Sequence, residues 1–163
     1  MTTSEIIIYT DGSSRGNPGP GGYGTVLISG TYRKEMSEGY QLTTNNRMEL
    51  LAVIKGLETL KNTGSKVVVY TDSKYVADSV EKKWIFEWEK NRFKKKKNQD
   101  LWKRFLDIYR QHQVKFIWIK GHAAHKENEY CDKLAVEAAT GSNLLVDEGY
   151  LQDSSNELFD CMP

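Results

Sequence analysis

An α/β fold, a mixed β-sheet flanked by helices, is predicted by three features of this 163-residue sequence. The stretch IIIYTDGS at residues 6–13 returns in echo as VVVYTDS at 67–73. Each copy is a short β-branched run closed by Tyr, Thr, Asp and a small residue, the pattern of a strand buried on both faces at the centre of a sheet. Apolar stripes at helical spacing lie between and beyond the copies, and a hairpin pattern follows the first. If the two copies run side by side and parallel, Asp11 and Asp72 emerge together at the carboxyl ends of adjacent strands, where open α/β sheets place ligand sites. Either aspartate alone suits a turn or a helix cap. Together they repel by about 4 kcal/mol at ~4 Å in surroundings of effective dielectric about 20, so the pair requires a cation or a proton between them.

The remaining elements follow in order. GSSRGNPGPGGYG after Asp11 reads as a turn-rich loop, since Gly and Pro punctuate it. Residues 23–29 and 32–40 flank Gly30-Thr31 at the spacing of an antiparallel hairpin. A helix is predicted over 43–61: Thr43, Thr44, Asn45 and Asn46 offer caps, Leu50, Val53, Ile54, Leu57 and Leu60 make the apolar stripe, and Asn62-Thr63-Gly64 stops it. Glu49 lies on or beside the packed face, either as a capping-box partner of Asn46 or aimed at the strand ends. A second helix starts at Ser73, a third covers 100–112, a strand covers 114–119, and a last helix runs over about 127–139 with Asp132 beside its apolar stripe.

Length fits one domain, able to bury roughly two-thirds of its unfolded surface without a disulfide or structural metal. Two cysteines, Cys131 and Cys161, and no signal peptide or long apolar run predict a soluble protein of a reducing, cytoplasmic compartment, with no membrane partner. The net charge of +1 is unevenly spread. Five acidic residues and no Lys or Arg after residue 142 leave +6 on the first 142 residues. Residues 1–142 are therefore expected to form the working domain, and 143–163 an acidic, flexible tail.

The segment 82–97, KKWIFEWEKNRFKKKK, holds eight basic residues against Glu87 and Glu89, with Trp84, Trp88 and Phe93 interleaved. A solvated helix face explains the lysines but not the aromatics. Basic and exposed aromatic residues together suit a polyanion with sugar and base surfaces, a nucleic acid.

Asp11, Glu49, Asp72 and Asp132 gather four hard oxygen donors from two strand ends and two helices, with no Cys or His at zinc spacing. That donor set selects Mg²⁺ or Mn²⁺. Four carboxylates leave room for two ions and for substrate phosphate oxygens, the arrangement of in-line phosphodiester hydrolysis. His122, just past the fifth predicted strand and close in sequence to Asp132, suits proton relay or product release, while His125 reads as a surface residue.

TDGSSRGNPGPGGYG, TTNNRMEL, YTDSKYV and KGHAAHKENEYCDKLA, in this order, resemble type 1 ribonuclease H over about residues 5–140. The resemblance implies a ribonuclease H-like fold, a five-stranded mixed sheet of order 3-2-1-4-5 flanked by helices, and a monomeric endonuclease that cuts the RNA strand of RNA–DNA hybrids. It carries the metal-binding carboxylates onto Asp11, Glu49, Asp72 and Asp132, and the mobile-loop histidine onto His122. Contacts to ribose 2′-hydroxyls fall on Asn17, Asn45 and Asn46, where amides suit a group that both donates and accepts. Thr44 and Asn98 match positions that hold a DNA-strand phosphate. The segment 82–97 resembles the basic protrusion that grips the hybrid, with Lys82, Lys83, Trp84 and Trp88 as its candidate contacts.

The sequence departs from that family pattern in three places. The protrusion is shorter than in the best-known members, Lys74 stands where glutamine is common and adds a cation near the carboxylates, and the acidic tail has no matching counterpart. Two other readings use the same residues: a module that binds hybrids without cutting, which the full carboxylate set disfavours, and a related fold acting on DNA, which the three asparagines disfavour.

Overall fold

The computed structural model describes residues 5–121 and 125–160, the last four by backbone alone. Its elements are β1 (Ile6–Ser14), β2 (Gly19–Ser29), β3 (Tyr32–Thr43), α1 (Asn45–Glu58), β4 (Lys66–Thr71), α2 (Lys74–Glu81), α3 (Trp84–Lys90), α4 (Gln99–Tyr109), β5 (Gln113–Trp118), α5 (Lys126–Thr140), β6 (Leu144–Leu145) and α6 (Glu148–Asp160). The sheet runs β5-β4-β1-β2-β3-β6. This is the expected order read in reverse, with one strand more than the five expected.

The echo in sequence is also an echo in register. β1 and β4 pair in parallel, Ile6 opposite Val67, Ile8 opposite Val69 and Tyr9 opposite Tyr70. The Tyr9 and Tyr70 rings stack at 5.0 Å between centroids, and the two strands deliver Asp11 and Asp72 to one end of the sheet. β2 and β3 form the predicted antiparallel hairpin, closed by the Ser29–Tyr32 pair around Gly30, whose φ is +61°. Left-handed backbone of this kind costs glycine nothing.

β2 begins earlier than predicted. PGPGGYG carries the punctuation of a loop, yet Gly19–Ser29 is a single strand. Its glycines serve packing: a Cβ on Gly24 would collide with the backbone of α5 at Cys131. The next side chain, Thr25, donates instead to the Ala52 carbonyl of α1 at 2.7 Å. Alternate residues of one strand thus meet α5 on one face and α1 on the other, the period-two consequence of the pleat. The core between sheet and helices centres on Ile8, Met48, Leu50, Ile54, Trp102 and Phe105, all fully buried. Trp102 Nε1 donates to Tyr75 Oη at 2.8 Å, so the one polar atom of that large side chain is satisfied.

The flexible-tail expectation needs correcting for the first part of the segment. Leu144 and Leu145 add β6 to the edge of β3, in parallel with Gly39 and Tyr40. Asp147 then accepts from Thr43 Oγ1 at 2.7 Å and from Tyr150 N at 3.2 Å, capping α6 while binding it to the body.

Candidate active site

The site begins with a close approach. A Cβ on Gly12 would collide with the backbone of Met48 and Glu49, so only glycine after Asp11 lets α1 lie directly on the end of β1. Gly12 N donates to Asp11 Oδ1 at 2.9 Å and fixes that carboxylate. α1 starts at Thr44, whose Oγ1 accepts from Arg47 N at 3.3 Å. Thr44, rather than Asn46, is therefore the cap, and Glu49 is free of any capping-box role. One turn further on, Glu49 is buried beside the strand ends.

Asp11, Glu49 and Asp72 each bring a carboxylate oxygen within 4.8 Å of the other two. Asp11 is pushed up to about 8, first by burial and then by the charge of Asp72. Burial, then the charges of Asp11 and Asp72, raises Glu49 well above the ordinary carboxylate range. Glu49 Oε2 is buried and has no hydrogen-bond partner among the described residues. An orphaned anionic oxygen beside two like charges is costly unless a cation neutralises it. The all-oxygen donor set fits a hard divalent ion such as Mg²⁺ or Mn²⁺.

Asp132 lines the same pocket from α5. It is exposed, stands outside the tight trio, and raises the Asp11 pKa further, first through a side-chain hydrogen bond and then through its charge. Asn45, at the start of α1, also reaches this pocket. His122 lies outside the described residues. His125 takes the N-cap position of α5 without a side-chain cap bond.

Two pocket residues escaped the sequence reading. Glu129 and Asn128 line the acidic pocket from α5. Asn128 is only 6% exposed and its Oδ1 lacks a hydrogen-bond partner among the described residues. Its position one helical turn before Asp132 was the available signal, since residues four apart share a helix face.

A second pocket opens across the N-terminus of α1. Asn17, Thr44, Asn46, Lys97 and Asn98 line it, with Tyr150, Asp153 and Ser154 of α6 as its remaining polar wall. Asn17 Oδ1 accepts from Asn45 N at 3.1 Å, bracing the loop after β1 against the helix start. Asn98 is largely committed to the scaffold: Nδ2 donates to Tyr75 Oη at 3.0 Å and Oδ1 accepts from Arg47 at 3.4 Å. Arg47 is itself buried and binds Asp100 at 2.7 and 2.8 Å.

Lys82, Lys83 and Trp84 are exposed at the head of α3. The aromatics of the basic segment, however, divide. Phe93 is buried in the core, and Trp88 packs edge-on against Trp102 at 5.9 Å while Lys96 lies 5.0 Å from its ring centroid. Trp84 keeps an open face, with Lys82 5.3 Å from its ring. The expectation of three exposed aromatics therefore holds for Trp84 alone, because this short segment must also bury its own base.

Carboxylates converging at the strand ends of a helix-covered sheet form a candidate cation site, and the same chain carries an exposed basic segment. The RNase H family model matches residues 3–140. Ribonuclease H of Rippkaea orientalis is 54% identical over 151 residues, spanning 90% of this chain and 92% of its own. Ribonuclease HI of Synechocystis is 46% identical over 155 residues, spanning 91% and 96%. Among solved structures, LC9-RNase H1, a type 1 RNase H with the type 2 active-site motif, superposes with a TM-score of 0.77 at 34% identity, covering 95% of this chain and 82% of its own. LC11-RNase H1 in complex with an RNA/DNA hybrid superposes at 0.61 with 29% identity, covering 82% and 96%. The chain belongs to the RNase H family, and its activity is that of a hydrolytic nuclease. Among the described residues, no helix is long and apolar enough to cross a membrane.

Proposed function

We propose that this chain cuts the RNA strand of RNA–DNA hybrids within the strand, as a cytoplasmic monomer, leaving 3′-hydroxyl and 5′-phosphate ends. The observation that carries this reading is the pair of pockets on either side of the α1 N-terminus, one acidic and one lined by amides, a hydroxyl and a lysine. Their separation by a single helix start suits the two strands of one duplex.

Asp11, Glu49, Asp72 and Asp132 are the residues that would hold Mg²⁺, or Mn²⁺ in its place, two ions with substrate bound. Such ions, when bound, activate a water and stabilise the leaving oxygen. The chain's own residues do the rest. Asn45 lines the acidic pocket and Asn17 and Asn46 line its neighbour, so these amides act at the boundary between the strands, where they meet ribose 2′-hydroxyls and distinguish RNA from DNA. Thr44 accepts from Arg47 N as the cap, so its hydroxyl hydrogen remains available to a phosphate of the uncut strand, with Lys97 and the Asn98 edge nearby. Lys82, Lys83, Trp84 and Trp88 extend the grip along the duplex. To His122 we assign proton relay, on its motif alone.

The test is cleavage of one labelled sequence as hybrid, duplex DNA, duplex RNA and single strand, with Mg²⁺ and with EDTA. Cutting of the RNA strand in the hybrid alone, abolished by EDTA, is expected, and products that accept a kinase label only after dephosphorylation would carry 5′-phosphate ends. Equal cutting of duplex DNA would favour a DNA-processing relative. Tight hybrid binding without products would favour a pure binding module.

A further inference from the structure

One side chain of β5 fastens the strand end that carries Asp72. Trp118 Nε1 donates to the Asp72 carbonyl at 3.0 Å, while the residue remains 42% exposed. The Lys74 ammonium lies 4.8 Å from the centroid of the same ring. Lys74 is exposed and opens α2, where the positive end of the helix dipole disfavours a cation. A folding role for this placement is weak, since the ring contact works against an unfavourable terminus. Its electrostatic result is clear: an aromatic face steadies an ammonium without neutralising it, whereas a carboxylate partner would cancel the charge.

Resting on the hybrid-cleaving reading above, we infer that Lys74, carried on the Trp118 ring, binds a backbone phosphate of the cut strand beside the scissile one, and that Trp118 is a positioning residue for Lys74 and Asp72. The acidic pocket repels the phosphodiester it must receive, and Lys74 supplies positive charge two residues from one of the repelling carboxylates. Asp72 lines the acidic pocket and Lys74 opens the helix that follows it, whereas the second pocket, across the start of α1, has Lys97 as its lysine; the phosphate assigned to Lys74 is therefore one of the cut strand. A lysine suits the task because its compact charge accepts phosphate oxygens from several directions.

Hybrid binding in EDTA across a range of salt concentrations, together with steady-state cleavage in Mg²⁺, tests this on the whole chain. Lys74→Gln should weaken binding at low salt, reduce the log–log salt slope by about 0.9, and raise KM more than it lowers kcat. Lys74→Arg should restore the slope. Trp118→Leu should lose slope as Lys74→Gln does and lower kcat as well, because the Asp72 carbonyl loses its partner. An unchanged slope in Lys74→Gln, or an equal loss in Lys74→Arg, overturns the inference. Wild-type cleavage separates the two readings: failure to cut hybrids defeats the parent proposal, whereas normal cutting with an unchanged Lys74→Gln slope defeats this one alone.

Discussion

Arg47 and Asp147, 100 residues apart in sequence, meet through two hydrogen bonds of 2.8 and 2.9 Å. The guanidinium also holds Asp100, so one buried cation joins the start of α1 to α4 and to the C-terminal segment. Removing one member of a buried pair strands the other's charge, at a cost of about 3 kcal/mol. Asp147→Ala is therefore expected to destabilise the protein by about that amount in urea unfolding. A loss below roughly 1 kcal/mol would mean that Asp100 alone satisfies Arg47.

The same linkage separates two roles of the C-terminal segment. Asp147 anchors, whereas Asp153 faces the pocket of Thr44 and Asn46. Asp153→Ser should tighten hybrid binding at low salt about threefold, the equivalent of roughly 0.6 kcal/mol for a partly exposed charge. Truncation after Asn143 should instead lower stability, because it removes Asp147 too. Equal affinity of Asp153→Ser and wild type would leave α6 as a passive wall.

Much of this architecture was legible because it is written in local patterns. The strand echo predicted the parallel pair and the meeting of Asp11 with Asp72, and the stripe on α1 put Glu49 on or beside the packed face, with an aim at the strand ends as one of two readings. What escaped has long-range causes. The glycines of β2 read as a loop because their purpose, the close approach of α5, is invisible along the chain. Trp88 and Phe93 looked like a binding surface because a charge run hides the fact that its few apolar residues must seat it on the core. Arg47 follows Thr44, Asn45 and Asn46 in the polar first turn of α1, and nothing near it in sequence announces a partner at Asp147.

Asn128 gives a sharper test of the pocket. Its buried Oδ1, without a partner among the described residues, is suited to accept from a water or substrate hydroxyl brought into the acidic site. Asn128→Ala is expected to lower kcat about tenfold, the loss of one hydrogen bond of roughly 1.4 kcal/mol in the transition state, with hybrid affinity kept. Unchanged kcat would make the residue a wall of the pocket only.

The basic segment should dominate the salt dependence of binding. Lys94, Lys95 and Lys96 are exposed, and each lysine–phosphate pairing removed should reduce the log–log slope by about 0.9. Replacing residues 94–97 with Ser is expected to flatten the slope measured by fluorescence anisotropy. An unaltered slope would move the duplex away from this face.

The acidic trio predicts an inverse pH dependence for the metal-free protein. Asp11, ordinarily near 3.8, is raised to about 8 in the fold, so between those values the native state binds more protons than the unfolded chain. Its stabilising contribution is full below the ordinary carboxylate range and is lost as pH rises through about 8, and Glu49 acts in the same direction. In EDTA, Asp11→Asn should therefore melt above wild type at about pH 9, with the gap shrinking towards about pH 5. Mg²⁺ should raise the wild-type melting temperature at the higher pH by neutralising the cluster, and raise the variant's less. Cleavage should be lost in the variant while hybrid binding survives. A gap between variant and wild type that does not change with pH would show that Asp11 ionises without strain in the folded protein, and would remove the electrostatic case for a bound ion.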